Sequence, residues 1–180
     1  MSDLVRFGVA MERGLLDRFD ERIAARGYEN RSEALRDLEL LRLVESEPFR
    51  GARVRAFGDR DLMEVYPVRA ALEEVAARVA AVNLRGDVAA LEAEVAAMRE
   101  AASRADIHGL VEHDVEFHRL IVEAADMEIL TQCWKLLGVE GRITLTLYDT
   151  FVEPAEAAAL HDPIVDALRL GKAAAAGREA

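Results

Sequence analysis

Gly27-Tyr28-Glu29-Asn30-Arg31-Ser32-Glu33-Ala34-Leu35-Arg36-Asp37-Leu38 marks the end of one helix and the start of another. Gly27 ends the first in the usual C-terminal way, and Asn30 or Ser32 caps the second. Upstream, residues 12–26 carry Leu15, Leu16, Phe19, Ile23 and Ala24 at helical spacing. Before them, residues 4–11 alternate: Leu4, Arg6, Gly8 and Ala10 point one way, and Val5, Phe7, Val9 and Met11 the other. Period-two alternation is the mark of a half-buried strand. A lone strand does not stand by itself in water, so it must pair with another copy, and a homodimer is expected. Downstream, the second helix sets Ala34, Leu35, Leu38, Leu41 and Val44 on its inner side and is expected to stop before Pro48.

Beyond it, Pro48-Phe49-Arg50-Gly51 reads as a turn, and Ala52-Arg53-Val54-Arg55-Ala56-Phe57 has alternating character. From Asp59 onward the pattern is helical with short breaks. One helix is expected from about residue 60 to 84, kinked by Pro67 inside it. The next starts at Asp87, a good cap, and runs to about 104. Others cover 106–124, 128–147 and 154–171, the last opening on Pro154. A final Ala-rich one spans 172–180. The expected fold class is mainly α. A small head of one strand and two helices fills residues 1–47, a linker or wing-like segment 48–60, and an all-α antiparallel helical bundle 61–180.

Composition agrees with helices: 52% of the 180 residues are hydrophobic and only 6% aromatic. The single cysteine, Cys133, rules out a disulfide framework and a Cys-based zinc cluster, which suits a reducing cytoplasm. It reads as a buried small apolar residue. No apolar run approaches membrane-spanning length and the start lacks a signal pattern, so a cytoplasmic chain with no membrane partner is expected. The net charge of −11 by itself argues against nucleic acid. The charge is uneven, however. Arg42, Arg50, Arg53, Arg55 and Arg60 face only Glu45, Glu47 and Asp59 in that stretch. A locally basic head before an acidic remainder is compatible with DNA.

The words and order of residues 4 to about 40 resemble the ribbon-helix-helix domain of the nickel-responsive repressor family. That resemblance implies strands paired in the DNA major groove. Arg6, Gly8 and Ala10 would take the base-reading positions, although the family usually carries longer polar residues where Gly8 and Ala10 stand. It also implies that Asn30, Arg31 and Ser32 meet a phosphate at a helix start. The family's own nickel segment, several His and a Cys together, has no match here. A second resemblance begins near Arg36. Ala34-Leu35-Arg36-Asp37-Leu38-Glu39-Leu40-Leu41-Arg42-Leu43-Val44-Glu45 and the following Pro48-Phe49-Arg50-Gly51-Ala52-Arg53-Val54 look like the recognition-helix end and wing of GntR-family regulators. Asp61-Leu62-Met63-Glu64-Val65-Tyr66-Pro67-Val68-Arg69-Ala70-Ala71-Leu72-Glu73 is similar to the opening of their FadR-type (FCD) ligand-binding domain. Asp114-Val115-Glu116-Phe117-His118 and His161-Asp162-Pro163-Ile164-Val165-Asp166-Ala167-Leu168 continue that pattern. The two resemblances overlap at residues 32–39, as in a hybrid joined inside a shared helix. A shortened winged helix is the competing description of the head.

Asp114 and His118 stand four apart on one expected helix, hence on one face. A carboxylate with an imidazole suits zinc, manganese, iron or nickel. In the resembled domain such a pair joins a His that His161 matches and a further His about twenty residues later. No residue between His161 and Ala180 supplies it. Asp114, His118 and His161 are therefore the expected ligands of a divalent metal ion, with a position open to water or a small carboxylate effector. Arg69 either clamps that carboxylate or forms a salt bridge to Glu73. His108 and His113 read as surface residues, and Phe117, Ile121, Trp134 and Leu137 as core. Three function classes compete: a ligand-responsive transcriptional regulator, an enzyme, and a dimerisation module without a DNA role. No nucleophile–base pair, phosphate loop or acid pair accompanies the Asp/His cluster, so no enzyme activity is expected.

Overall fold

A computed structural model describes residues 13–40, 43–47, 51–54, 59–137 and 153–180. The expected strand at residues 4–11, with Arg6, Gly8 and Ala10, lies outside them. The chain divides into two compact units, Met1–Ala56 and Phe57–Ala180.

In the first unit, α1 (Arg13–Ala25) and α2 (Arg31–Leu40) meet at the Gly27 boundary. Gly27 sits at φ +78°, a conformation that favours glycine. There the Tyr28 N–H donates to the Ile23 carbonyl at 3.0 Å and the Gly27 N–H to that of Ala24 at 3.1 Å, which closes the last turn of α1. Asn30, rather than Ser32, caps α2: its Oδ1 accepts the Glu33 N–H at 3.0 Å. Glu33 reaches back to accept the Glu29 N–H at 2.8 Å. Ile23 and Ala34 are buried between these elements.

The second helix is described as far as Leu40, and Val44, expected on its inner side, lies in a strand. That strand, β1 (Val44–Glu47), pairs antiparallel with β2 (Gly51–Val54), in the register Val44↔Val54 to Glu47↔Gly51. The reason is local and tertiary at once. Glu47 precedes a proline and is steered to extended backbone. The alternating residues after Gly51 then offer a partner strand.

The second unit is helical: α3 (Asp59–Asn83), α4 (Ala89–Ser103), α5 (Ile107–Ala124), α6 (Glu128–Leu136), α7 (Pro154–Ala159), α8 (Asp162–Arg169) and α9 (Ala173–Glu179). Helix α3 continues past Pro67. Asp106 caps α5 by accepting the Gly109 N–H at 3.0 Å. The cap position of α4 is Val88 with no side-chain bond, so Asp87 does not serve as the cap expected of it. The segment expected as one helix over 154–171 is broken at Leu160 and His161. Pro163 lacks the N–H that would carry the ladder across, and it sits instead in the first turn of α8.

The core is built on Phe117, Met98, Leu110, Ile121, Leu168, Val111 and Val122, all essentially inaccessible. Ala76, Ala77, Ala80 and Ala81 make one side of α3 thin. The Ala-rich tail is a packed helix that uses this thinness. A Cβ on Gly177 would stand 2.6 Å from Arg78 Cγ and 2.9 Å from the Glu74 carbonyl oxygen, so α9 approaches α3 as closely as backbone allows. Phe117, Ile121 and Trp134 are buried as expected and Leu137 packs beside them. Cys133 is exposed, contrary to expectation, because α6 turns Leu130 and Trp134 inward and leaves it on the outer side. His108 is exposed. His113 is half-buried and meets Glu94 Oε2 through Nδ1 at 2.8 Å.

Candidate metal centre

Helix α5 presents Asp114 and His118 one turn apart towards the interior. The break between α7 and α8 brings His161 to the same place, at the cap position of α8. One potential ligand atom from each of the three lies within 4.8 Å of the others. His161 Nε2 is 3.2 Å from Asp114 Oδ1. Its Nδ1 is 3.2 Å from the Ala157 carbonyl, which can only accept. Acceptors thus stand opposite both ring nitrogens of His161, the Ala157 carbonyl at Nδ1 and the Asp114 carboxylate at Nε2. Phe117, between Asp114 and His118 in sequence, meets both imidazoles edge-on, with ring centroids at 5.3 Å (His118) and 4.7 Å (His161). It walls the site with hydrocarbon on that side.

Helix α3 supplies the second layer. Arg69 and Glu73 are both buried, at 8% and 3% exposure. Arg69 Nε donates to Glu73 Oε1 at 2.8 Å, and its Nη2 lies 3.7 Å from Asp114 Oδ2. The indole Nε1–H of Trp134, on α6, donates to the same Glu73 Oε1 at 2.8 Å. Glu73 Oε2 faces His118 Nδ1 at 3.2 Å, within ion-pair distance but outside hydrogen-bond alignment. Glu73 escaped the sequence reading except as a salt-bridge partner for Arg69. The available signal was an acid four residues from an arginine, on the side of α3 that carries Ala76, Ala77 and Ala80.

Charge in this cluster is unevenly matched. Burial, the largest influence on Asp114, raises its pKa. The His161 hydrogen bond, with His118 and Arg69 nearby, outweighs it and holds the carboxyl at about 2. Burial dominates at His118 and lowers its pKa to about 4, against the attraction of Glu73 and Asp114. Arg69 is pulled down by burial, but Glu73 and Asp114 more than restore it and its pKa is raised. The resting site thus holds an ionised carboxylate, a neutral imidazole and a guanidinium.

Two buried side-chain polar atoms among the described residues lack a hydrogen-bond partner, Asp114 Oδ2 and His118 Nδ1, and both belong to this cluster. Orphaned buried polar atoms are costly and rare, so their concentration in one place marks a site shaped for something further. A carboxylate and two imidazoles form a donor set that suits a divalent transition metal. On these grounds the residues fit such an ion.

The residues expected at DNA are less uniform. Asn30 is committed to capping α2. Arg31 is exposed, but its guanidinium grips Asp20 of α1 with Nε–Oδ1 at 2.6 Å and Nη2–Oδ2 at 2.5 Å. Ser32 is exposed, and its carbonyl accepts from Arg36 Nε at 3.2 Å. Arg53 and Glu45 pair across the hairpin at 2.9 Å.

The FCD domain model matches residues 64–180. A protein of Paenarthrobacter nicotinovorans, described as a D-xylose utilization operon transcriptional repressor, is 37% identical over 139 residues. That alignment covers 77% of this chain and 62% of the relative. A nickel-responsive regulator of Chlorobaculum tepidum is 58% identical over 50 residues, covering 26% of this chain and 37% of that protein. The chain therefore spans less than two thirds of either relative. Among solved structures, E. coli McbR/YncC matches with a TM-score of 0.71 at 24% identity, over 82% of this chain and 76% of that one. A GntR regulator from Rhodococcus sp. RHA1 matches at 0.68 and 22%, over 94% and 80%. At these identities the likeness shows a shared fold. With the family model covering most of the helical unit, the chain belongs to the FCD domain family.

Proposed function

We propose that the chain is a DNA-binding transcriptional regulator whose helical unit holds a divalent metal ion and takes up a small carboxylate. The observation that carries this is the trio Asp114, His118 and His161, drawn together from two separate elements with both orphaned polar atoms among them. When bound, the ion supplies a Lewis-acidic position for an oxygen ligand. Three protein ligands would leave a coordination position for it. Arg69 shapes the approach. Glu73 holds its Nε edge while Nη2 leans towards Asp114, so the guanidinium is a fixed cation beside the place an acid would enter. The low pKa of His118 keeps its imidazole neutral, and so able to ligate, down to about pH 4. The relatives' descriptions as repressors and regulators support the DNA role, as does the helix–turn–helix start.

A second description of the head has its own observation. Helix α2 is followed directly by the β1–β2 hairpin, the order of a recognition helix and wing. In that case Arg53 joins Arg31 and Arg36 near phosphates. In either form the head reads DNA as a two-fold dimer.

His118→Ala should abolish binding of the metal and the response to an added acid, while affinity for operator DNA stays. Metal titration and electrophoretic mobility shift on the same preparation check both halves. Loss of DNA affinity with metal binding intact would overturn the assignment of roles.

A further inference from the structure

We infer that Glu73 is a positioning residue that sets the ring of His118 so that its Nε2 lone pair serves the metal trio. The inference rests on the metal reading above and assigns a task to a side chain that belongs to none of the three ligands.

Glu73 is 3% exposed, and its two oxygens have different work. Oε1 accepts from Arg69 Nε and from Trp134 Nε1, each at 2.8 Å. Both of those groups are donors only, so neither can turn to suit the carboxylate. One is on α3 and the other on α6, so the carboxylate is pinned from two elements. Its orientation is fixed before His118 is considered. Oε2 is then left facing His118 Nδ1 at 3.2 Å. A carboxylate oxygen opposite a ring nitrogen favours the tautomer that carries its proton on that nitrogen. Oε2 is then the acceptor that an Nδ1–H would meet, at the atom that otherwise lacks a partner. Nε2 then keeps its lone pair.

The same logic operates at His161, where the Ala157 carbonyl faces Nδ1. The two imidazoles of the trio are thus oriented by acceptors of different kinds, a backbone carbonyl for one and a buried side chain for the other. A ligating histidine held by an outer acceptor is a general device for fixing tautomer and orientation.

The decisive variant is Glu73→Gln. The amide keeps the size, but its NH2 can donate to His118 Nδ1 and drive the proton to Nε2, where it blocks ligation. Histidine 15N spectra of the metal-free protein, taken at alkaline pH, read the tautomer directly. The wild type should show His118 protonated on Nδ1, and Glu73→Gln should shift it towards Nε2. Zinc affinity, from competition with a chromophoric chelator, should fall about 10–100-fold in Glu73→Gln. Trp134→Phe, which removes one of the two donors that pin Oε1 but leaves Oε2 in place, should lower zinc affinity less than Glu73→Gln does.

A wild type with His118 protonated on Nε2 overturns the inference, and this reading needs no variant to fold. So does a Glu73→Gln protein with unchanged tautomer and unchanged zinc affinity. If the wild type shows the Nδ1 tautomer yet takes up no zinc, the metal reading fails and the role of Glu73 stands. If zinc binds while His118 is protonated on Nε2, the reverse holds.

Discussion

At the scale of single residues, the cluster around Asp114 converts burial into pH dependence. The metal-free folded chain protonates His118 only near pH 4, whereas an unfolded chain does so at 6.5. Unfolding therefore takes up a proton between those values. Stability is unaffected above about 6.5 and falls as pH drops through the window, by at most about 1.4 kcal/mol per pH unit. Urea denaturation of chelated protein at a series of pH values should show that fall, and His118→Gln should flatten it. A wild type and variant with parallel profiles would show that His118 is not buried as a neutral ring. The site residues were only partly legible in the sequence. Asp114 and His118 declare themselves through their spacing on one helix. His161 needed a family resemblance, because only a chain break brings it near α5. Glu73 was invisible as a positioning group because its partners, Trp134 and His118, come from other helices, and spacing along one helix reports only neighbours one turn away.

At the scale of elements, helix ends follow from a few side chains. Asp106 satisfies one of the four unpaired donors at the start of α5, the helix that carries both Asp114 and His118. Asp106→Ala should cost about 1 kcal/mol. In a thermal melt this appears as a drop of a few degrees, and Asp106→Asn should restore most of it. An unchanged melt would mean that water replaces the cap at no cost. Patterns of one period were read well: α1, α4 and α5 fall within a few residues of expectation. The errors share a cause. The strand Val44–Glu47 and the break at His161 depend on what a segment meets in space, a partner strand in one case and Pro163 against the α7 end in the other. Periodicity over residues 31–47 is equally consistent with a helix, and tertiary pairing decides between them.

At the scale of the whole molecule, the acidic net charge of −11 and a DNA role are reconciled only if the basic residues of the first unit act locally. Arg31 is central to that. In the free protein it is tied to Asp20. Contact with a phosphate requires that pair to open, so Asp20→Asn should tighten DNA binding, and Arg31→Ala should weaken it and flatten its salt dependence. Fluorescence anisotropy across a salt series reads both, and equal affinity in both variants would remove Arg31 from the interface. The helical unit was the easier half to recognise, since most of its residues lie in long periodic segments. The head was harder because its hairpin strands are only four residues each.

Metal content decides whether Asp114, His118 and His161 form one metal site. Protein stripped with chelator, reloaded with zinc or nickel and desalted should carry one equivalent per chain by elemental mass spectrometry. His118→Ala and His161→Ala should each carry close to none while keeping wild-type helicity. A wild type that returns empty, or variants that retain the full equivalent, would contradict the site.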